Sequence, residues 1–268
     1  MKTAPRFLCA TITAGVSAVM VLLTAAFAQK TPDKAPAVCA AHNAITAAVK
    51  SVIDGRTLTL NDGREIRLAA IEGVESTAQA ALSALVTGRD IIFSPLVPVK
   101  DRYGRLNMRA FLADGDAPQS VEASLIAKGA ALAAPRGDDD GCMALLRNAE
   151  RTARAGKLGL WSDAARSAMH AENPAALMTV QGKFAVVEGK VLSVRESGGT
   201  LYVNFGRRWS EDFTVTILKR NARKFADAGV EPKSLERRNV RVRGFIEERG
   251  GPWIEAAIPE QIEIADGP

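Results

Sequence analysis

Hydrophobic and polar positions change their period several times along the 268 residues. After Lys2 and Arg6, the run Phe7–Phe27 is apolar and free of charge, and Ala26-Phe27-Ala28 sets small residues before Gln29. This predicts a secretory signal peptide over 1–28 and an exported, periplasmic or secreted chain. The alternative is an inner-membrane anchor left uncleaved through 7–27, since the run is long enough to span a bilayer. An N-terminal arm, 29–44, precedes the first alternating segment. From there, period-two alternation predicts strands over Ala47–Ile53, Thr57–Leu60 and Glu65–Ile71, with Asn61-Asp62-Gly63 as a hairpin turn. Ser76–Val86 predicts a short helix, and Asp90–Phe93 and Arg109–Leu112 predict two more strands. Helical spacing then governs Ser120–Lys128 and Cys142–Ala155, where Leu145, Leu146 and Ala149 share a face. The expected fold is mainly β with packed helices, a small barrel over 45–162.

Small and polar residues including Asn173-Pro174 predict a linker over 163–179. Strand patterns resume in Phe184–Val194, Thr200–Phe205 and Asp212–Leu218. A short helix over Ala222–Ala228 follows, then Val240–Glu247 and Pro252–Ala257, with Gly198-Gly199 and Gly250-Gly251 at the turns. Three strands, a helix and two strands are the order of an OB-type barrel, so 180–268 is expected as a second, small OB-like domain. Tyr202, Phe205, Trp209 and Phe213 interleave with Arg207 and Arg208, and Arg237, Arg238, Arg241 and Arg243 form a second basic run. Such mixing suits single-stranded nucleic acid. The competing expectation puts the aromatics in the core and Arg241 and Arg243 on a solvated strand face.

Composition narrows the chemistry. The 35 basic and 30 acidic residues leave a net charge of +5, which tolerates a polyanionic partner without requiring one. Two histidines and three cysteines, with no Cys-x-x-Cys, argue against a His-rich zinc site, haem or an iron–sulfur cluster. Once a signal peptide is removed, Cys39 and Cys142 remain. In an exported protein the pair suggests a disulfide; the alternative is two unrelated buried thiols. Asp138-Asp139-Asp140-Gly141 lacks the spaced ligands and distal glutamate of a calcium loop and is read as a turn opening the Cys142 helix. His42 and His170 have no ligand partners at useful spacing and are read as surface residues.

Four strings carry a resemblance. Val52-Ile53-Asp54-Gly55-Arg56-Thr57, Arg67-Leu68-Ala69-Ala70-Ile71-Glu72-Gly73-Val74-Glu75, Asp101-Arg102-Tyr103-Gly104-Arg105 and Leu158-Gly159-Leu160-Trp161 follow one another in the order and spacing of the staphylococcal-type thermonucleases. The chain resembles that family over about 45–162. The resemblance implies an OB-like five-stranded barrel and calcium-dependent cleavage of phosphodiester bonds in DNA and RNA. It implies phosphate-binding roles for Arg67 and Arg105 and a water-activating role for Glu75. Tyr103 would contact a substrate phosphate, and Asp101 would stand at the pocket rim. These types suit the chemistry: guanidinium forks match phosphoryl oxygens, and a carboxylate can orient or deprotonate water.

The chain departs from the family at the metal. The family's turn reads Asp-Gly-Asp-Thr, its second aspartate a calcium ligand, and Arg56 stands at that position. A guanidinium donates no oxygen and repels a cation. Glu72 takes the partner ligand position normally held by aspartate, and Gly73-Val74 replaces a segment that ends in proline. Arg56 is expected either to pair with Glu72 or Glu75 or to act as a third phosphate-binding cation. Two functions follow as expectations: a nuclease with weakened or non-canonical metal dependence, or an inactive nuclease-fold module that binds nucleic acid or a protein partner. No stable membrane association is expected after signal cleavage.

Overall fold

Period-two burial builds the first sheet. A computed structural model describes residues 39–73, 77–113, 118–136, 141–162, 169–208 and 210–265. The expected signal peptide and Asp138–Asp140 lie outside these residues. In chain order come β1 (Ile45–Val52), β2 (Thr57–Leu60), β3 (Glu65–Leu68), β4 (Ile71–Glu72), α1 (Ala78–Val86), β5 (Asp90–Lys100) and β6 (Leu106–Leu112). Then follow β7 (Gln119–Ser120), α2 (Val121–Ala127), β8 (Leu132–Ala133), α3 (Cys142–Ala155) and a 3-10 turn, Gly159–Trp161. The sheet runs β3-β2-β1-β5-β6-β7, and a parallel pairing of β3 with β6 closes it into a five-stranded barrel. Leu58, Leu60, Ile66, Leu68, Ile91 and Phe93 alternate inward, and α1 and α2 cover them with Leu82, Val121 and Leu125.

The first barrel differs from the sequence expectation at two places. The strand expected to run to Ile71 stops at Leu68, because Ala70 takes a left-handed conformation at φ 60°. Ala69 N–H donates to the Met108 carbonyl at 3.0 Å and the Ala70 carbonyl accepts from Ala134 N–H at 2.9 Å. Ile71–Glu72 is thereby turned away to pair with β8. On α3, Leu145 is exposed, and the buried face is Cys142, Met143, Leu146, Glu150 and Ala153. The face is rotated from the expected one because it carries the buried charge of Glu150.

Ser120 caps α2, accepting from Ala123 N–H at 3.1 Å while its hydroxyl donates to Glu122 at 3.0 Å. Glu122 is fully enclosed and also accepts from Ala110 N–H at 2.9 Å. Burial pushes its carboxyl up to about 7, outweighing those hydrogen bonds. Cys39 is bonded to Cys142, the first residue of α3, across 103 positions. The arm is further held where Ser94 Oγ accepts from His42 N–H and donates to the His42 carbonyl.

The stretch read as a linker contains structure of its own. β9 (Met169–His170) pairs parallel to β10 (Phe184–Lys190), and α4 (Pro174–Met178) places Leu177 in the second core. β11 (Ser193–Ser197), β12 (Thr200–Asn204), β13 (Thr214–Leu218), α5 (Lys219–Asp227), β14 (Asn239–Phe245), β15 (Glu247–Arg249), β16 (Gly251–Glu255) and β17 (Ile262–Ile264) complete the chain. The strand expected over Phe184–Val194 is divided at Val191-Leu192, so that β10 pairs with β14 and β11 with β12. Val240–Glu247 is likewise divided, and β16 lies parallel to β13 and antiparallel to β15. Three strand positions, a helix and two strand positions thus follow the expected order, but the strands form two sheets, β17-β14-β10-β9 and β11-β12-β13-β16-β15, over a core of Val187, Val203, Phe213, Val215, Ile217 and Ile254, and not the closed barrel expected.

Residues 36–268 form one compact unit. Between the barrel and the C-terminal sheets, Leu132, Ala153 and Trp161 pack with Val186, and Phe184 and Leu160 flank them. Arg243, on β14, is fully buried there, against the expectation of a solvated strand face. The physical reason is that α3 covers that face. The Arg243 guanidinium donates to Glu150 at 2.9 Å, to the Ala133 carbonyl at 3.0 Å and to Glu263 at 3.2 Å. Arg154 pairs with Glu188 at 3.0 Å, and Arg241 pairs with the same carboxylate. The Leu158–Trp161 string owes its backbone to a close approach: a Cβ on Gly159, at φ 49°, would sit 2.3 Å from the Gly129 carbonyl oxygen. That oxygen accepts the Leu160 N–H at 2.7 Å, which sets Trp161 into the seam.

Candidate active site

Two turns and one strand end bring the charged residues together. At the β1–β2 turn, Asp54 accepts the Arg56 N–H at 2.8 Å, and the Ile53 N–H donates to the Thr57 carbonyl at 2.8 Å. This Asx-type turn is the local reason the Asp-Gly-Arg-Thr string folds as it does. The Arg56 carbonyl accepts from Leu68 N–H at 2.8 Å, which ties the turn to the end of β3. Arg67 lies opposite Thr57 on β2 and opposite Asn107 on β6. The closure of the barrel through β3 and β6 therefore sets Arg67 between the Arg56 turn and the Asp101–Arg105 turn.

The second turn is built by one carboxylate. Asp101 accepts from Tyr103 N–H at 2.9 Å, from Arg105 N–H at 3.1 Å and from Arg105 Nε at 2.8 Å. Gly104 supplies the positive φ, 83°, that the turn requires. Burial pushes the Asp101 carboxyl up, but hydrogen bonds from the Arg105 side chain and from the Tyr103 and Arg105 backbone hold it below its ordinary value. Asp101, expected at the rim, is thus the group that orients Arg105. Tyr103 is 67% exposed, with Arg102 4.8 Å and Arg105 5.1 Å from its ring centre. Arg102 was not anticipated from the sequence; its place beside Tyr103 in the same string was the available signal.

Arg67 senses all of its neighbours. Desolvation, followed by the charges of Arg56 and Arg105, pulls its pKa below the ordinary guanidinium value, against the opposing pull of Glu72 and Asp101. Its Nη2 lies 4.0 Å from Glu72. Arg56 forms an ion pair with Glu72 and donates to the Ile71 carbonyl at 3.0 Å. Among the described residues, three guanidiniums face the two carboxylates of Glu72 and Asp101, a donor set that fits phosphoryl oxygens.

Calcium does not fit this donor set. Glu72 carries Arg56 on its carboxylate, and Arg56 occupies the turn position from which an oxygen ligand would come. Among the described residues, no group of three or more His, Cys, Asp or Glu is placed to hold a metal ion. Glu75, expected as the water-activating carboxylate, lies outside the described residues together with Val74 and Ser76. Gly73, which leads to it, has φ 60°, and a Cβ there would meet Leu132 at 2.8 Å.

The aromatics of the C-terminal part divide. Phe205 and Phe213 are core residues with ring centres 5.0 Å apart, Tyr202 is half-buried, and Trp209 lies outside the described residues. Arg243 is removed from any nucleic-acid surface by its burial, and Arg241 is engaged by Glu188 and Glu263.

No curated protein was found to match the chain. Residues 70–163 match the family model described as Staphylococcal nuclease homologue, SNase. The match takes in Glu72, Asp101, Tyr103, Arg105 and Trp161, while Arg56 and Arg67 precede it. The closed barrel and the Asp101–Arg105 turn thus lie in the part of the chain that is similar to the staphylococcal nuclease homologues over residues 70–163.

Proposed function

We propose that the protein is an exported nuclease that hydrolyses phosphodiester bonds of DNA or RNA, with a calcium dependence weaker than its family's. The observation that carries the proposal is the convergence of Arg56, Arg67 and Arg105, with Asp101 orienting Arg105 through its Nε–H at 2.8 Å. Arg67 and Arg105 bind the scissile phosphate and stabilise the charge that spreads over its oxygens in transfer. Glu75 orients or deprotonates the attacking water. Arg56, in the place of a metal ligand, adds a fixed positive charge in the region where the family employs an ion. Export draws support from the charge-free run Phe7–Phe27 and from the Cys39–Cys142 bond, of a kind favoured in oxidising compartments.

A second function, binding without cleavage, is favoured by one observation: the Arg56–Glu72 pair neutralises the remaining metal-ligand carboxylate. The two are separated by cleavage of a fluorophore-quencher single-stranded DNA, with calcium, with other divalent ions and with chelator, beside Glu75→Gln. A nuclease cleaves, and Glu75→Gln loses at least about a hundredfold, the usual weight of a general base. Absence of cleavage under every condition, by folded protein, establishes the binding module instead.

A further inference from the structure

We propose that the outer face of the sheet β11-β12-β13-β16-β15 is a binding site for single-stranded nucleic acid, separate from the arginine cluster of the first barrel. The pairing registers define that face. Ser193, Asn204, Thr214 and Trp253 lie in one row across β11, β12, β13 and β16, and Arg195, Tyr202, Thr216 and Glu255 lie in the next. The intervening residues Val203, Val215 and Ile254 point into the core. The rows floor a groove of about 910 Å³.

The groove has an aromatic wall led by the half-buried Tyr202, a polar floor and two exposed arginines. Tyr202 and Trp253 meet edge to face with ring centres 5.9 Å apart, and Trp253 is 9% exposed. The Trp253 indole N–H is buried with no hydrogen-bond partner among the described residues. Asn204, 8% exposed, holds its neighbours loosely: its amide nitrogen is 3.3 Å from the Tyr202 carbonyl and 3.5 Å from Ser193 Oγ, and its carbonyl oxygen is 3.5 Å from Thr214 Oγ1. These contacts lie at or beyond the long end of hydrogen bonding, so the amide keeps capacity for the edge of a base. Arg249 stacks over Trp253 at 5.2 Å and is itself paired with Glu247 at 2.8 Å and Glu255 at 3.7 Å, so it brings no free charge to the groove. Arg195 and Arg207 are exposed and make no ion pair among the described residues. None of the described residues lining the groove is acidic.

This set selects its occupant. Aromatic faces stack unpaired bases, and guanidiniums at the rim meet the phosphates between them. In a duplex the base faces are already stacked on one another. A neutral sugar would leave Arg195 and Arg207 without a counter-charge, and an acidic peptide would bring no planar rings to Tyr202 and Trp253.

The test is fluorescence anisotropy of a labelled phosphorothioate oligothymidylate, which resists cleavage, with the full chain in chelator. Four variants are compared: Tyr202→Ala, Tyr202→Phe, Arg195→Glu with Arg207→Glu, and Arg67→Ala with Arg105→Ala. Tyr202→Ala weakens binding about tenfold, the scale of one lost stacking platform, while Tyr202→Phe retains it and shows that the fold is intact. The paired charge reversal lowers the slope of log affinity against log salt by roughly 1.4, about 0.7 for each phosphate that is no longer neutralised. In Arg67→Ala with Arg105→Ala, binding remains and stays sensitive to Tyr202→Ala. Binding that ignores Tyr202, Arg195 and Arg207 but vanishes in the first-barrel variant overturns the proposal. So does a neutral oligosaccharide or an acidic peptide that binds where oligothymidylate does not. Cleavage measured separately in Arg105→Ala keeps failure here distinct from failure of the nuclease proposal.

Discussion

At the scale of single residues, the molecule turns on where charges are placed. Arg67 is read against Arg56, Arg105, Glu72 and Asp101, and each of those four is fixed by a turn or strand end a few residues from a glycine. Glu122 is the opposite case, a carboxyl enclosed beside the β6 backbone and raised to about 7. A raised acid favours folding in its protonated form. Its contribution is therefore full below the ordinary glutamate value of 4.5 and is lost as pH climbs through about 7. Urea unfolding across that window should show stability falling with pH by on the order of 3 kcal/mol. Glu122→Gln keeps one acceptor for Ala110 N–H and one donor for Ser120, and should flatten that dependence. A slope unchanged in Glu122→Gln would place the titration elsewhere. The meeting of Arg56, Arg67 and Arg105 was legible in the sequence because each string folds as a local turn or strand end. Burial of Glu122 was not, since its hydrogen-bond partner Ala110 lies on a strand whose register no local pattern gives.

At the scale of elements, periodicity predicted what packing then adjusted. β2 (Thr57–Leu60) and α3 (Cys142–Ala155) match their expected bounds because turn residues and helix start flank them closely. β3 was overrun to Ile71, since nothing apolar distinguishes Ala70 from a strand residue; its left-handed backbone is held by the bond its carbonyl accepts from Ala134 N–H and by the bond Ala69 N–H donates to the Met108 carbonyl on β6. The face of α3 was misjudged for a related reason, because a charged residue, Glu150, counts as polar in any periodicity yet is buried against β8 and β14. α3 also begins at the Cys39–Cys142 bond, which closes a loop of 103 positions. Such a loop stabilises the folded state by roughly 4–5 kcal/mol in the chain-entropy description. Denaturation of the oxidised chain and of the chain reduced and alkylated should differ by several kcal/mol. Equal midpoints would show that the arm contributes nothing to the barrel.

At the scale of the whole molecule, the first barrel and the C-terminal sheets share one seam. Arg243 of the C-terminal sheets ends on Glu150 of α3 at 2.9 Å and on Glu263 of β17 at 3.2 Å, with no exposed surface. Removing one member of a buried ionic set strands the others, at a cost of about 3–5 kcal/mol. Arg243→Leu should therefore lower the unfolding midpoint of both parts together. Loss of the C-terminal part alone, or a change under about 1 kcal/mol, would show the seam to be incidental. None of this was legible from sequence: Arg243 alternates with Val242 like any surface strand, and its partner lies 93 positions away. The order of strands and helix after residue 180 was legible, because glycine turns punctuate it, whereas their division into two sheets was not.

The central claim is that the arginine cluster of the first barrel cleaves phosphodiesters with little need of calcium. Its most direct measurement is the rate of cleavage of quenched single-stranded DNA in chelator by the chain and by Arg105→Ala. The arrangement of Arg56, Arg67 and Arg105 predicts cleavage that persists in chelator and falls at least about a hundredfold in Arg105→Ala, the loss of one charge-stabilising donor. Cleavage that stops in chelator, or that is unchanged in a folded Arg105→Ala chain, would contradict it.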